Sequence, residues 1–211
     1  MTKNKAIALE IYDSITKLFP DAACELNYQA DHELLIAIML SAQATDESVN
    51  KVTPELFKNY PTLNDYAKAK VTDLEKAIKS IGLYRNKAKN LQNMAIMVIE
   101  KFSGKIPDNQ VDLESLPGVG RKTANVFLAE AHHIPKIAVD THVSRVSQRL
   151  GFAKEGASPK TVENNLMKLY PKKLWISLHH KLIFFGRYFC TARKPNCKNC
   201  PIIKYCKKPQ L

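Results

Sequence analysis

The 211-residue chain has no apolar run long enough to cross a membrane or to act as a signal peptide. Its longest, Leu34 to Leu40, suits a buried helix instead, and the N-terminal MTKNKAIALEIYDSITKLF is charged and amphipathic. Alternating apolar and polar residues between hairpin turns are missing too, as are low-complexity tracts and repeats of fixed period. These absences speak against a membrane protein and an all-β fold, and they set the expectation of a cytosolic chain with reduced thiols. Acidic residues are few, 20 against 32 Lys and Arg, which leaves a net charge of +12. Such a balance points to nucleic acid, less often to an anionic membrane surface, and its bland reading is a solubilising excess. Cysteine is scarce as well, with five in all.

Four of those five, Cys190, Cys197, Cys200 and Cys206, crowd into one loop with the spacing C-x6-C-x2-C-x5-C. Thiolates this close in a reducing compartment usually bind a metal or a cluster rather than form disulfides. Arg193, Lys194, Lys198, Lys204, Lys207 and Lys208 make the same loop a cationic knob. The fifth, Cys24, reads as a small buried apolar residue.

Helical periodicity dominates, over residues 4–19, 31–44, 47–59, 73–80, 86–103, 121–132, 141–150, 159–169 and 175–186. Proline and glycine, including Pro20, Pro54, Pro61, Gly82, Gly104 and Gly151, punctuate the pattern. The expected fold is all-α, with about nine or ten short helices.

Residues 111–131, VDLESLPGVGRKTANVFLAEA, predict a short helix, a tight turn at Leu116-Pro117-Gly118-Val119-Gly120, and a second helix from Arg121. Pro117 fixes one φ, and the glycines permit positive φ. Without a Cβ at Gly118 or Gly120, backbone N–H groups at a helix N-terminus can approach an anion. The segment resembles a helix-hairpin-helix motif, whose glycines contact DNA phosphates without reading bases; the bland reading is a plain helical turn.

Lys122 falls in the first turn of that second helix, where the dipole disfavours a cation and Arg121 adds repulsion. A lysine biased toward its neutral amine can be a Schiff-base nucleophile, although most lysines near helix starts are solvated or touch phosphate. Asp140 follows Ile137-Ala138-Val139 and precedes a predicted helix. From the residues alone it reads as an N-cap. A carboxylate that stabilises charge on a sugar is the functional alternative.

Together, LPGVGRKTAN (116–125), AVDTHVSRV (138–146), HHKLIFFGRYFC (179–190), SAQATD (41–46), IGLYRNKA (81–88) and the cysteine spacing resemble the endonuclease III family of DNA glycosylases over nearly the whole chain. The resemblance implies two helical domains flanking a DNA-binding cleft. One would span 24–135 with the hairpin at about 111–131; the other would join 1–23 to 136–211 and carry the cluster loop, 190–206. It implies a [4Fe–4S] cluster on the four cysteines, where zinc would usually take two close ligand pairs. It implies Lys122 as nucleophile and Asp140 as catalytic carboxylate, acting on an oxidised or ring-saturated pyrimidine such as thymine glycol in duplex DNA. Gln43 and Leu83 would enter the helix stack. Gly118, Gly120, Arg121, Arg193, Lys194 and Lys198 would contact the backbone. A monovalent cation could sit on carbonyls near Glu114, Leu116 and Val119, and His142 could orient Asp140.

An adenine-removing relative would carry a small residue in place of Lys122 and usually a further C-terminal domain. Lys122 and Asp140 together argue against a binding-only module, and the chain-long match argues against a zinc-binding interaction protein. The expected protein is thus a monomer without an obligate protein partner, bound to damaged DNA and not to membrane, in a bacterial or archaeal cytosol at the nucleoid.

Overall fold

The computed structural model describes residues 4–209, and every regular element among them is helical. In chain order they are α1 (Lys5–Leu18), α2 (Asp31–Ser41), α3 (Asp46–Asn59), α4 (Leu63–Lys68), α5 (Val71–Ala77), α6 (Tyr84–Phe102), α7 (Gln110–Ser115), α8 (Arg121–His132), α9 (Thr141–Arg149), α10 (Pro159–Leu169) and α11 (Trp175–Phe184). A π-helical turn, Phe185–Phe189, continues α11. No described helix is long and apolar enough to cross a membrane.

Many helix starts are written locally. Asn4, Thr45, Asn109, Asp140 and Ser158 each accept a hydrogen bond from a first-turn amide, and Pro159 fits the position after its cap. α4 was not expected, because six residues behind Pro61 offer too little periodicity. Its signal was a capping box, in which Thr62 and Asp65 satisfy each other's backbone. Pro54 does not separate helices; it lies inside α3 on the exposed side. α5 and α6 each begin two residues before their expected starts.

The chain divides into two compact units. The continuous one is Glu25–Ile134, with α2 to α8. Leu34 to Leu40 of α2 are all buried, as an unbroken apolar run requires, and α2 packs on α3, α6 and α8. α4 and α5 lie against α6, which buries Leu91, Met94, Ala95 and Val98.

The second unit joins the described residues through Cys24 to those from Pro135 onward. α1 supplies Ala8, Ile11 and Ile15 to a core shared with Ile137, Val143, Val146, Leu182 and Phe185. In the π turn the Cys190 N–H reaches the Phe185 carbonyl at 2.6 Å. Gly186 lies in that turn, where an added Cβ would come 2.8 Å from the His142 Cβ, so α9 and the turn touch backbone to side chain. Cys24 is half-buried rather than a core residue, in the stretch between α1 and α2.

Phe185 is 1% exposed and stacks on Phe189 at 5.3 Å. Phe185→Ala should destabilise its unit by about 3–5 kcal/mol, seen as a lower urea midpoint by circular dichroism.

Candidate functional site

In the Glu25–Ile134 unit, α7 and α8 pack side by side around the turn 116–120. Val119 N–H bonds the Leu116 carbonyl at 3.0 Å. The two glycines differ. Gly118 has φ +81°, and a Cβ there would meet the Asn90 Cβ at 2.9 Å and Met39 at 3.0 Å. Gly120 has φ −97° and open space around it, so the expectation of positive φ holds only at Gly118. Gly120 instead occupies the N-cap of α8, where it has no side chain to bond the first-turn amides, and no acid lies in that turn. Such an end can accept an anion.

Lys122 stands exposed in this first turn. Arg121 reaches Glu114 across the hairpin at 3.7 Å, and both are about two-thirds covered. Part of Arg121's charge therefore already has a protein partner. Among the carbonyls considered for a cation, that of Leu116 already accepts one N–H.

The same unit carries Gln43 and Leu83, both exposed and both left-handed, with φ +57° and +60°. The other two non-glycine residues with positive φ among those described, Ser103 and His133, end helices, where that conformation is routine. Leu83 begins α6, so its conformation has no such excuse, and for a bulky residue it costs roughly 1–2 kcal/mol. A Cβ on Gly82 would lie 3.8 Å from the Gln43 carbonyl oxygen, so the two loops abut. Between them lies Lys87, which is 7% exposed and donates at 2.7 Å to the carbonyls of both Leu40 and Ala42. Burial holds its pKa below the ordinary lysine value.

In the other unit, Asp140 follows the buried Ile137-Ala138-Val139 and caps α9. Its Oδ1 accepts the Val143 N–H at 2.8 Å, as the residue pattern indicated. His142 does not pair with Asp140 as expected; its Nδ1 lies 3.2 Å from Arg145. The N-cap bond occupies one carboxylate oxygen with a backbone donor, and His142 meets Arg145 one turn along α9.

The cysteine loop is anchored by residues that the sequence did not flag. Arg145 donates to the Gly186 carbonyl at 2.7 Å and to the Cys190 carbonyl at 3.3 Å. Arg149, one turn on, bonds the Thr191 carbonyl at 2.7 Å, the Ala192 carbonyl at 3.0 Å and the Cys190 Sγ at 3.2 Å. Their i, i+4 spacing on α9 beside the apolar Val143, Val146 and Leu150 was the available signal. Burial first, and then Arg149 beside it, lowers the Arg145 pKa.

Cys190, Cys197, Cys200 and Cys206 line one small cavity with Phe185, Ile202 and Arg149. Burial and the neighbouring sulfurs raise the Cys200 and Cys206 thiols, so a thiolate set here needs added positive charge. Among the described residues no three His, Cys, Asp or Glu side chains converge on a single ion's position. Four cysteine sulfurs around one cavity are a donor set that an iron–sulfur cluster takes. Arg193, Lys194 and Lys198 are exposed on the loop.

Residues 36–172 match the HhH-GPD superfamily of base excision DNA repair proteins. Endonuclease III of Bacillus subtilis is 50% identical over 198 residues, 94% of this chain and 90% of that protein. Endonuclease III of Synechocystis is 46% identical over 211 residues, 100% of this chain and 96% of that one. A trapped endonuclease III–DNA covalent intermediate superposes with TM-score 0.95 at 50% identity, covering 98% of this chain and 97% of that one.

The contrast between the glycines is testable on stability alone. Gly118→Ala should cost more than about 1 kcal/mol in a thermal melt, whereas Gly120→Ala should stay within about 0.5 kcal/mol.

Proposed function

This chain belongs to the endonuclease III family within the HhH-GPD superfamily of base excision DNA repair proteins, and from that premise we propose how its residues divide the reaction. It is a DNA glycosylase and abasic-site lyase. The substrate is an oxidised or ring-saturated pyrimidine, thymine glycol among them, turned out of the duplex before reaction. Gln43 fills the vacated space and Leu83 wedges the stack. The hairpin amides at Gly118 and Gly120 with Arg121, and the loop cations Arg193, Lys194 and Lys198, hold backbone phosphates.

Lys122, as its neutral amine, attacks C1′ while the bond to the base breaks and the departing base takes up a proton. The ring opens to a Schiff base between the Lys122 nitrogen and C1′. That iminium acidifies the 2′ hydrogen. Loss of the 2′ proton expels the 3′ phosphate by β-elimination, and water then releases Lys122. Asp140 stabilises positive charge on the sugar. Its cap leaves a second carboxylate oxygen for this role. The observation that carries the reading is Lys122 itself, an exposed amine in the first turn behind an uncapped glycine.

Cys190, Cys197, Cys200 and Cys206 would hold a [4Fe–4S] cluster, which supplies a rigid support for the cationic loop rather than glycosidic chemistry. A monovalent cation on the Glu114, Leu116 and Val119 carbonyls would brace the hairpin. The enzyme would act as a monomer without an obligate protein partner, at the nucleoid of a bacterial or archaeal cytosol.

Borohydride reduction on a thymine-glycol duplex should join wild-type protein covalently to DNA. Lys122→Gln should bind that duplex but yield no adduct and no strand cut; cleavage by a clean preparation would falsify the nucleophile. Asp140→Asn keeps an equally good cap, so it should melt like wild type while base release falls at least about 100-fold. Iron analysis should return about four irons per chain, and a single zinc would overturn the cluster.

A further inference from the structure

Gln43 and Leu83 reach the surface through backbone conformations that neither would choose alone, and Lys87 is bonded to both loops. Its side chain donates at 2.7 Å to the Ala42 carbonyl, which belongs to the same peptide plane as the Gln43 nitrogen. Its backbone N–H bonds the Leu83 carbonyl at 3.1 Å. The third bond, to Leu40 at 2.7 Å, closes the C-terminus of α2. Carbonyls at that end lack intrahelical partners and favour a cation. α2 has no basic residue in its own last turn, so the cation is supplied from 45 or more positions away.

A buried ammonium is an expensive way to satisfy two carbonyls, because water would do the same for the half-covered Ala42 carbonyl. What water cannot do is fix the Ala42–Gln43 peptide relative to the first turn of α6. Left-handed residues persist only where the surroundings over-determine them. Here the surroundings are the Ala44 N–H bond to the Ser41 carbonyl at 3.0 Å, which closes the turn on Gln43, the Lys87 side chain, and Gly82, whose would-be Cβ lies 3.8 Å from the Gln43 carbonyl oxygen.

We infer that Lys87 is a positioning residue, a clamp that holds Gln43 and Leu83 together in the conformation that enters the helix stack, so that their ordering is complete before DNA arrives. The inference rests on the wedge roles proposed for those two residues. It assigns Lys87 no contact with substrate. Pre-ordering improves recognition of the opened, base-flipped duplex and leaves ordinary phosphate contacts untouched.

The test compares binding of two duplexes, one undamaged and one with a tetrahydrofuran abasic-site analogue that cannot form a Schiff base. Wild type should prefer the second. Lys87→Met, which keeps the apolar stem and loses the donors, should lose about ten-fold of that preference and bind undamaged DNA within about two-fold of wild type. In a Gln43→Ala/Leu83→Ala background the same substitution should change the preference no further. Faster amide exchange in Lys87→Met should appear in segments 41–46 and 81–87. If the methionine variant does not fold, Lys87→Gln, which keeps one amide donor, is read in the same way, with an expected loss of about three-fold. Undiminished preference, an equal loss on both duplexes, or an additive loss in the double-alanine background would each overturn the clamp. If wild type itself showed no preference, the wedge roles would fail first and the clamp with them.

Discussion

Every helix ends in backbone groups that its own ladder cannot bond, and a protein built from short helices consists largely of such ends. This chain meets that constraint in several chemically distinct ways. Side-chain oxygens close the starts of α1, α3, α4, α7, α9 and α10. Buried cations close the C-termini of α2 and α1, the latter through Lys181, which donates to the Phe19 and Pro20 carbonyls at 3.2 and 3.4 Å. The start of α8 has no side-chain cap, as those of α2, α5, α6 and α11 have none, and Lys122 stands in its first turn.

The net charge of +12 therefore has two uses. Arg193, Lys194 and Lys198 are exposed and free to meet a polyanion. Lys87 and Lys181 are buried against carbonyls, and Arg145 and Arg149 are spent on the backbone of the cysteine loop. Counting cations overstates the electrostatic footprint, because guanidinium and ammonium groups also serve this fold as multi-donor hydrogen-bonding hubs. Arg149 also bonds the Cys190 sulfur, and in the cluster proposed above such a donor would tune the group that the sulfur holds.

Much of this was legible in the chain because it is local. The buried α2, the hairpin turn, the cap at Asp140 and the all-helical fold follow from periodicity, glycine placement and one-turn spacings. α4 hid because a six-residue helix carries no period, though its Thr62–Asp65 box was in plain view. Both turn glycines permit positive φ, and only packing decides that Gly118 uses it and Gly120 does not. The Arg145 and Arg149 anchors lie 41 or more residues from their partners, as does Lys87 from its carbonyls. No local pattern encodes such pairs. His142 was judged by its neighbour in sequence, whereas a helix presents it to the residue three positions on.

The discontinuous unit has a bearing on synthesis. α1 leaves the ribosome first, but the core that receives Ala8, Ile11 and Ile15 is made from residues beyond Ile134. The intervening unit has all of its own helices and can fold on emergence, while α1 waits with an apolar face uncovered. Closure comes only when α11 and the cysteine loop arrive. A nascent chain cut short before that point displays α1's apolar stripe, a built-in mark of incompleteness that chaperones and proteases can read.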